Sequence, residues 1–391
     1  SHHRKGKTIL LLDVQSSIVR ASVVNYADGD TKPRITFMVE RNVSYRPQAG
    51  TSYLIKSTLD ALKECVDASV SFVHELSAGD NHSHGAENDE SETIPKVSEI
   101  HFILSSPWTV SKAKTITQTF ERPTAVTKKG VMAIIEKERV SDAPEQTDLV
   151  EIVEEKIFSV RLNGYHIADW ECKAAKELEV SFAVSVAGSG MIERFRELCA
   201  HIVWYDKIFF HSALLLQHIG VKAFLPEKND YILVHAHGEL TDIVAAEDGD
   251  CVFFGSFPIG INTIVRAVSK AAKISTGAAD SLVTLFAGGY MDKVEEANAV
   301  GAIDNAAKDW NEEFAKLLRE SGHAFRPFHA VVVTARAHEE FFTQSFRRAH
   351  PEANIEPFNA EQMTERVSFS PRTEVLHLTG LYALAVNSLS S

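Results

Sequence analysis

No run of about 18 apolar residues occurs anywhere in the chain, so no segment is expected to cross a membrane as a helix. Positive charge is in short supply. Forty Lys and Arg stand against 53 Asp and Glu, a formal net charge of −13. That balance argues against a nucleic-acid surface and does not favour acidic lipid, and the basic clusters Lys112/Lys114 and Lys128/Lys129 are small. Cysteine is scarce and unpaired in spacing. The four residues, Cys65, Cys172, Cys199 and Cys251, form no CxxC or similar pair, and three lie in apolar, periodic stretches. Buried free thiols in a reducing compartment are the expectation. There is no GxSxG, no GxxxxGK[ST], no HExxH, and no GxGxxG after a strand, so hydrolase, Walker-type and dehydrogenase readings have no motif. No signal-peptide core opens the chain, and Ser1-His2-His3 reads as a tag remnant. A cytoplasmic protein is expected, with any membrane association made through a partner.

What remains is ordinary globular composition, 45% hydrophobic and 24% charged, over 391 residues, enough for two or more packed domains. Residues 7–25 read as a strand, a polar turn at Gln15–Ser17 and a second strand; Asp28-Gly29-Asp30 reads as a hairpin turn before a third. Helical spacing follows over 51–76, at Leu54, Leu59, Leu62, Val66 and Val70. The polar, acidic segment 77–97 reads as a flexible loop, solvated and carrying His82 and His84. EIHFILSSPW is a strand ended by Pro107, with Trp108 expected to pack. A mixed region runs to about 178, with a turn at Asn163-Gly164. ELEVSFAVSVAG reads as a buried strand and MIERFRELCAHI as a helix. Residues 204–225 read as strand, helix and loop, and His211 and His218, seven apart, are assigned to one helix as structural residues. YILVHAHGELTDIVAAEDGD then repeats the strand–turn–strand opening, and helices over 261–274, 277–290 and 295–321 precede the buried strand AVVVTA. Strands and helices alternate, so the class is α/β, and the two similar openings suggest a duplicated fold.

These segments, in this order, resemble the actin-like superfamily, and within it the cell-division protein FtsA and the pilus-assembly protein PilM. LLDVQSSIVRASVV is similar to the first phosphate motif. YILVHAHGELTDIVAAEDGD followed by GSFPIGINTI is similar to the second phosphate motif and its connecting segment. AVVVTARAHEEFFTQSF is similar to the adenosine motif, and AADSLVTLFAGG stands where that family has its Ala-Glu-x-x-Lys helix. The resemblance implies a duplicated, ribonuclease H-like fold of two lobes around a central cleft, with an FtsA-type inserted subdomain. Its implied division is 1–104 and 179–228 in the first lobe around an insert at 105–178. The second lobe then has a core at 229–268, a helical subdomain at 269–326, and a return at 327–391 with the last helix.

In working members, glycine turns bring backbone N–H groups to the phosphates, and carboxylates orient Mg²⁺ through water. Carried onto this chain, the nucleotide positions are Asp13, Gln15, Ser16, Ser17, His235, His237, Gly238, Thr241, Asp280, Ala335 and Arg336. Asp13, Ser16, Ser17, Gly238, Thr241 and Asp242 fit the pattern. Gln15 stands in place of a glycine, His235 of the metal-orienting Asp, and His237 of a second glycine. Ala335-Arg336 replace paired glycines, and Asp280 and Val283 replace Glu and Lys. A neutral imidazole is a poor Mg²⁺ ligand and a charged one repels the ion. Alterations in all four motifs imply a vestigial pocket, with no catalytic residue, no cofactor and no resident metal. An alternative set, His235 and His237 with Asp13 or His211, would suit Zn²⁺; otherwise both imidazoles fill space and hydrogen-bond to neighbours.

The function so implied is a non-catalytic scaffold of a bacterial cell-envelope assembly, FtsA-like or PilM-like. It would act by binding protein partners, with self-association as a further role and without nucleic-acid binding or direct membrane insertion. The insert favours FtsA; the absence of a basic amphipathic tail after VLHLTGLYALAVNSLSS favours PilM. The alternative is an ATP- and Mg²⁺-binding, nucleotide-dependent polymerising ATPase.

Overall fold

The computed structural model describes residues 6–27, 32–44, 48–79, 96–142, 149–287, 297–322, 329–334, 338–357, 360–371, 373–374 and 376–390. The expected turn at Asp28–Asp30, most of the acidic loop, and Ala335 and Arg336 lie outside these residues.

Two sheets share one topology. In the first lobe β1 (Lys7–Val14), β2 (Ile18–Tyr26) and β3 (Arg34–Asn42) form an antiparallel meander. After α1 (Gly50–Gly79), β4 (Val97–Leu104) returns parallel to β1. A third sheet intervenes: β5 (Thr109–Ala125), then α2 (Lys128–Asp142), β6 (Val150–Leu162), β7 (Tyr165–His166) and β8 (Ala174–Gly188). Next come α3 (Ser189–Cys199), β9 (Ile208–Ser212), parallel to β4, and α4 (Ala213–Phe224). The second lobe repeats the meander with β10 (Tyr231–Ala236), β11 (Thr241–Glu247) and β12 (Asp250–Phe257). Helices α5 (Ile261–Ala272), α6 (Thr276–Ala287) and α7 (Ala297–Glu320) follow. Then come β13 (His329–Thr334), parallel to β10, α8 (Glu339–Ala349) and β14 (Asn354–Pro357), parallel to β13. The chain goes on through α9 (Ala360–Arg366), β15 (Ser368–Phe369) and α10 (His377–Ser390). The sheet orders β3-β2-β1-β4-β9, edged by β15, and β12-β11-β10-β13-β14 make the duplication explicit. The third sheet runs β5-β8-β6-β7.

The strands follow the physics of their sequences. ILLLDV is a near-continuous apolar run because β1 is flanked on both edges and covered on both faces. The expected turn at Asn163-Gly164 joins β6 and β7, and both residues take positive φ, 52° and 82°, as the central residues of a primed turn do. On α5, Ile261, Ile264, Val265 and Val268 form one buried stripe. Cys65, Cys199 and Cys251 are buried thiols, whereas Cys172 is exposed. Among the described residues no helix is long and apolar enough to cross a membrane.

One assignment is corrected. His211 is in strand β9 and His218 in helix α4, so they do not share a helix face. IFFHS pairs in register with β4, and the Ser212 hydroxyl accepts from Leu215 N–H and so starts α4 one residue later.

Helices α4 and α10 lie between the two main sheets, in one core with Leu11, Val24, Leu233 and Val244. The helices cross at Gly220, where a Cβ would lie 2.7 Å from the Leu381 carbonyl oxygen. We expect Gly220→Ala to force the helices apart and to cost about 1–3 kcal/mol, the usual range for overpacking. Urea unfolding checks this, and a change under about 0.5 kcal/mol, the scatter of an ordinary surface substitution, would show that the crossing yields easily.

Candidate functional site

The turn after β1 and the turn after β10 meet at the cleft between the lobes. The first is tight, closed by Gln15 N–H donating to the Ile18 carbonyl at 3.0 Å. In the second, His237 N–H donates to the Leu240 carbonyl at 3.0 Å. The turns touch directly. Ser16 Oγ is 2.9 Å from His237 Nδ1 and accepts from Glu239 N–H at 3.1 Å. A Cβ on Gly238 would fall 1.9 Å from Ser17 Oγ, so only glycine permits this approach. Gly260 is equally constrained, since a Cβ there would lie 2.1 Å from the His237 carbonyl oxygen. The His237 and Gly238 carbonyls accept from the first N–H groups of α5, Ile261 and Asn262, so the turn itself caps that helix.

The carboxylates sit behind this contact. Asp13 and Arg20 are cross-strand partners, and Arg20 Nη1 reaches Asp13 Oδ2 at 3.1 Å while Gln15 Nε2 donates to the same oxygen at 2.8 Å. Arg20 also grips Glu40, at 2.6 Å. Burial nevertheless dominates and raises the Asp13 carboxyl to about 6, with Arg20 and Gln15 opposing the rise. Asp242 is fully buried and lies 3.2 Å from His237 Nε2, within ion-pair range although the ring is turned away from good hydrogen-bond alignment. Burial pushes its carboxyl up, but the field and bond of His237, with the Ser106 N–H, outweigh that and hold it below the ordinary value. His235 receives the Gln217 side-chain amide on Nδ1 at 3.0 Å, and the same amide donates to Tyr382 Oη. Burial and then the neighbouring His237 push His235 down to about 3, so it is neutral.

The other expected positions have structural partners. Thr241 Oγ1 donates to the Ile259 carbonyl and receives Trp310 Nε1–H. Asp280 is half exposed and bonds His338 Nε2 at 2.9 Å, whereas Val283 is in the second-lobe core. The zinc alternative does not assemble. Asp13 is engaged by Arg20 and Gln15, His211 is bonded to His101 and Glu154, and among the described residues no group of three His, Cys, Asp or Glu converges on a metal position. Trp108 packs as expected and donates Nε1–H to the Gln15 carbonyl.

Sequence reasoning missed Arg20, Gln217 and Glu239. Arg20 and Gln217 are long polar residues inside mostly apolar runs, IVRASVV and LLLQHIG, a signal that a buried polar partner exists. Glu239 carried no such signal; it binds Arg266 at 2.5 Å and Asn262 at 3.1 Å. Beside this contact a cavity of about 480 Å³ is bordered by Ser16, Glu239, Pro107, Thr263 and Arg266.

The raised Asp13 carboxyl gives a pH signature. It binds its proton more tightly in the folded chain than in the unfolded one, so its contribution to stability is complete below about pH 4 and is lost as pH rises through about 6. Between about pH 4 and pH 7 wild type should lose about 3 kcal/mol relative to Asp13→Asn, since each tenfold difference in proton affinity between the two states is worth about 1.4 kcal/mol. Paired urea melts check this; parallel curves would refute it. Ser16→Ala, which leaves His237 Nδ1 without its buried partner, is expected to cost about 1–3 kcal/mol in the same melts.

No family model matches the chain, and no curated protein matches it either. Solved structures do. The chain is similar to one from the "PilM-PilN type IV pilus biogenesis complex", with 12% identity and a TM-score of 0.62 over 97% of this chain and 96% of that one. The ethanolamine utilization protein EutJ from Carboxydothermus hydrogenoformans aligns at 10% identity and a TM-score of 0.45, over 98% of this chain and 89% of the other. A non-polymerising MamK mutant bound to AMPPNP aligns at 8% and 0.44, over 99% and 100%. The fold is therefore actin-like, two lobes of one repeated topology, with its similarity to PilM extending over nearly the full length of both chains.

Proposed function

We propose that this protein is a non-catalytic actin-like scaffold that works by binding protein partners in a cell-envelope assembly. The observation that carries this is the direct contact of the two turns. Phosphoryl transfer in this fold needs backbone N–H groups and a metal gathered around phosphates held between these turns. In this chain Ser16 and His237 bond each other in that place, and Gly238 packs on Ser17. The chemistry of the side chains agrees. Neutral His235 offers no anionic oxygen to a hard cation, and Asp13 is neutralised by Arg20. PilM, whose fold is similar, is part of a complex with PilN in type IV pilus biogenesis, and a protein partner of that kind suits a chain that reaches the membrane through others. An FtsA-like division role is the other setting for the same activity.

Titration calorimetry and thermal shift with ATP and with ADP, each with Mg²⁺, test this. We expect no binding heat and no stabilisation at about 1 mM nucleotide. A ligand at about 100 times its dissociation constant would add about 2.7 kcal/mol, so even an affinity of about 10 μM would be plain. Micromolar binding would overturn the scaffold reading in favour of a nucleotide-dependent polymerising ATPase.

A further inference from the structure

A second buried polar chain lies away from the cleft, where the third sheet meets the first lobe. Glu99 and His101 come from β4, His211 from β9 and Glu154 from β6. The contacts run in series. Glu99 Oε2 is 3.2 Å from His101 Nε2, His101 Nδ1 is 3.0 Å from His211 Nε2, and His211 Nδ1 is 3.0 Å from Glu154 Oε1. Glu154 Oε2 also accepts from Ser212 N–H at 3.2 Å. The imidazoles lie edge to edge and nearly coplanar, 5.3 Å between centroids and 10° between planes, and Phe209 stacks on His101. Lys7, from β1, pairs with Glu99 at the outer end. The groups facing the two rings are thus Lys7, Glu99 and Glu154, with Phe209 apolar. Each nitrogen of the pair points at a different neighbour, so this is a relay and not a converging ligand set.

Counting protons decides its character. Three bonds link the four groups, and each bond holds one proton. Two neutral imidazoles and two ionised carboxylates supply only two. The observed pattern therefore needs one proton more than that resting state, whichever tautomers are drawn. The Glu99 carboxyl is held down to about 2, first by its bond to His101, so it stays an acceptor. Burial pushes His101 down to about 4, which disfavours the extra proton on that ring.

We propose that this relay is a proton-dependent joint that fixes the third sheet against the first lobe. With the extra proton, Glu154 is tied to His211 and Ser212, and β6 is held on β9. When it leaves, one of the three bonds must break. The joint is a site for an added proton, so by linkage it is tight at lower pH and loosens as pH rises and that proton is lost.

Spin labels on the exposed Cys172, beside the third sheet, and on Lys56→Cys in α1 report the geometry across the joint by pulsed dipolar distances. The expected result is a narrow distribution at about pH 5.5 that broadens by about pH 8.5, on either side of the usual histidine range, and a distribution broad at both pH values in His211→Gln. Histidine ¹⁵N shifts of wild type supply a second readout that needs no variant to fold. One proton should be lost jointly by His101 and His211, and Glu154→Gln should lower that midpoint by about one pH unit or more through loss of the opposing charge. A distance distribution unchanged with pH, or two imidazoles that titrate independently or stay neutral throughout about pH 5–9, would overturn the proposal.

Discussion

The crossing of α4 and α10 at Gly220 sets the distance between the two halves of this molecule. Both helices are buried on both sides, so the apolar face of each sheet is satisfied by the same pair of helices. That shared core is why the two turns come to hydrogen-bonding distance. β1 and β10 both run out of it toward the cleft, and the turns that end them have nowhere to go but against each other. Tyr26 on the first sheet bonds the Ala383 carbonyl of α10, and Gln217 of α4 joins His235 to Tyr382, so polar contacts tie the same layers together.

Within the cleft the two buried carboxylates are treated differently. Asp13 faces a guanidinium, yet burial prevails and its proton is held more tightly than usual. Asp242 is just as deep, yet His237 and a backbone N–H hold it ionised. Several buried polar atoms here, including Asp13 Oδ1, Ser105 Oγ and Asp242 Oδ1, have no hydrogen-bond partner among the described residues. Retaining such groups at the floor of an interface between lobes costs stability that an apolar filling would not. The cost is offset by packing elsewhere, including the second-lobe cluster around Trp310, Phe314, Phe342 and Phe346.

Much of the architecture was legible in the sequence, because strand runs, turn glycines and helical stripes are local signals. ILLLDV and YILVHA announced strands, Asn163-Gly164 a turn, and residues 261–274 a helix. The repeated strand–turn–strand announced the duplication. A strand and a helix were legible over 204–225, but the boundary at His211 was not, because its competing signal was also local. IFFHS and ALLLQHIG are contiguous apolar stretches with no glycine or proline between them, and only pairing with β4 separates the strand from the helix.

The sequence by itself determined that Gln15, His235 and His237 stand at the ends of the two strand–turn–strand openings, because residue type fixes which ligands a position can offer. What those side chains do instead was decided only by the tertiary structure. Ser16 and His237 are 221 residues apart, and Asp13 finds Arg20 only through the register of a hairpin. His101, His211 and Glu154 come from strands of two sheets. Hydrogen bonds reach about 3 Å, and no spacing along the chain encodes which distant atoms the packing of a core will bring that close.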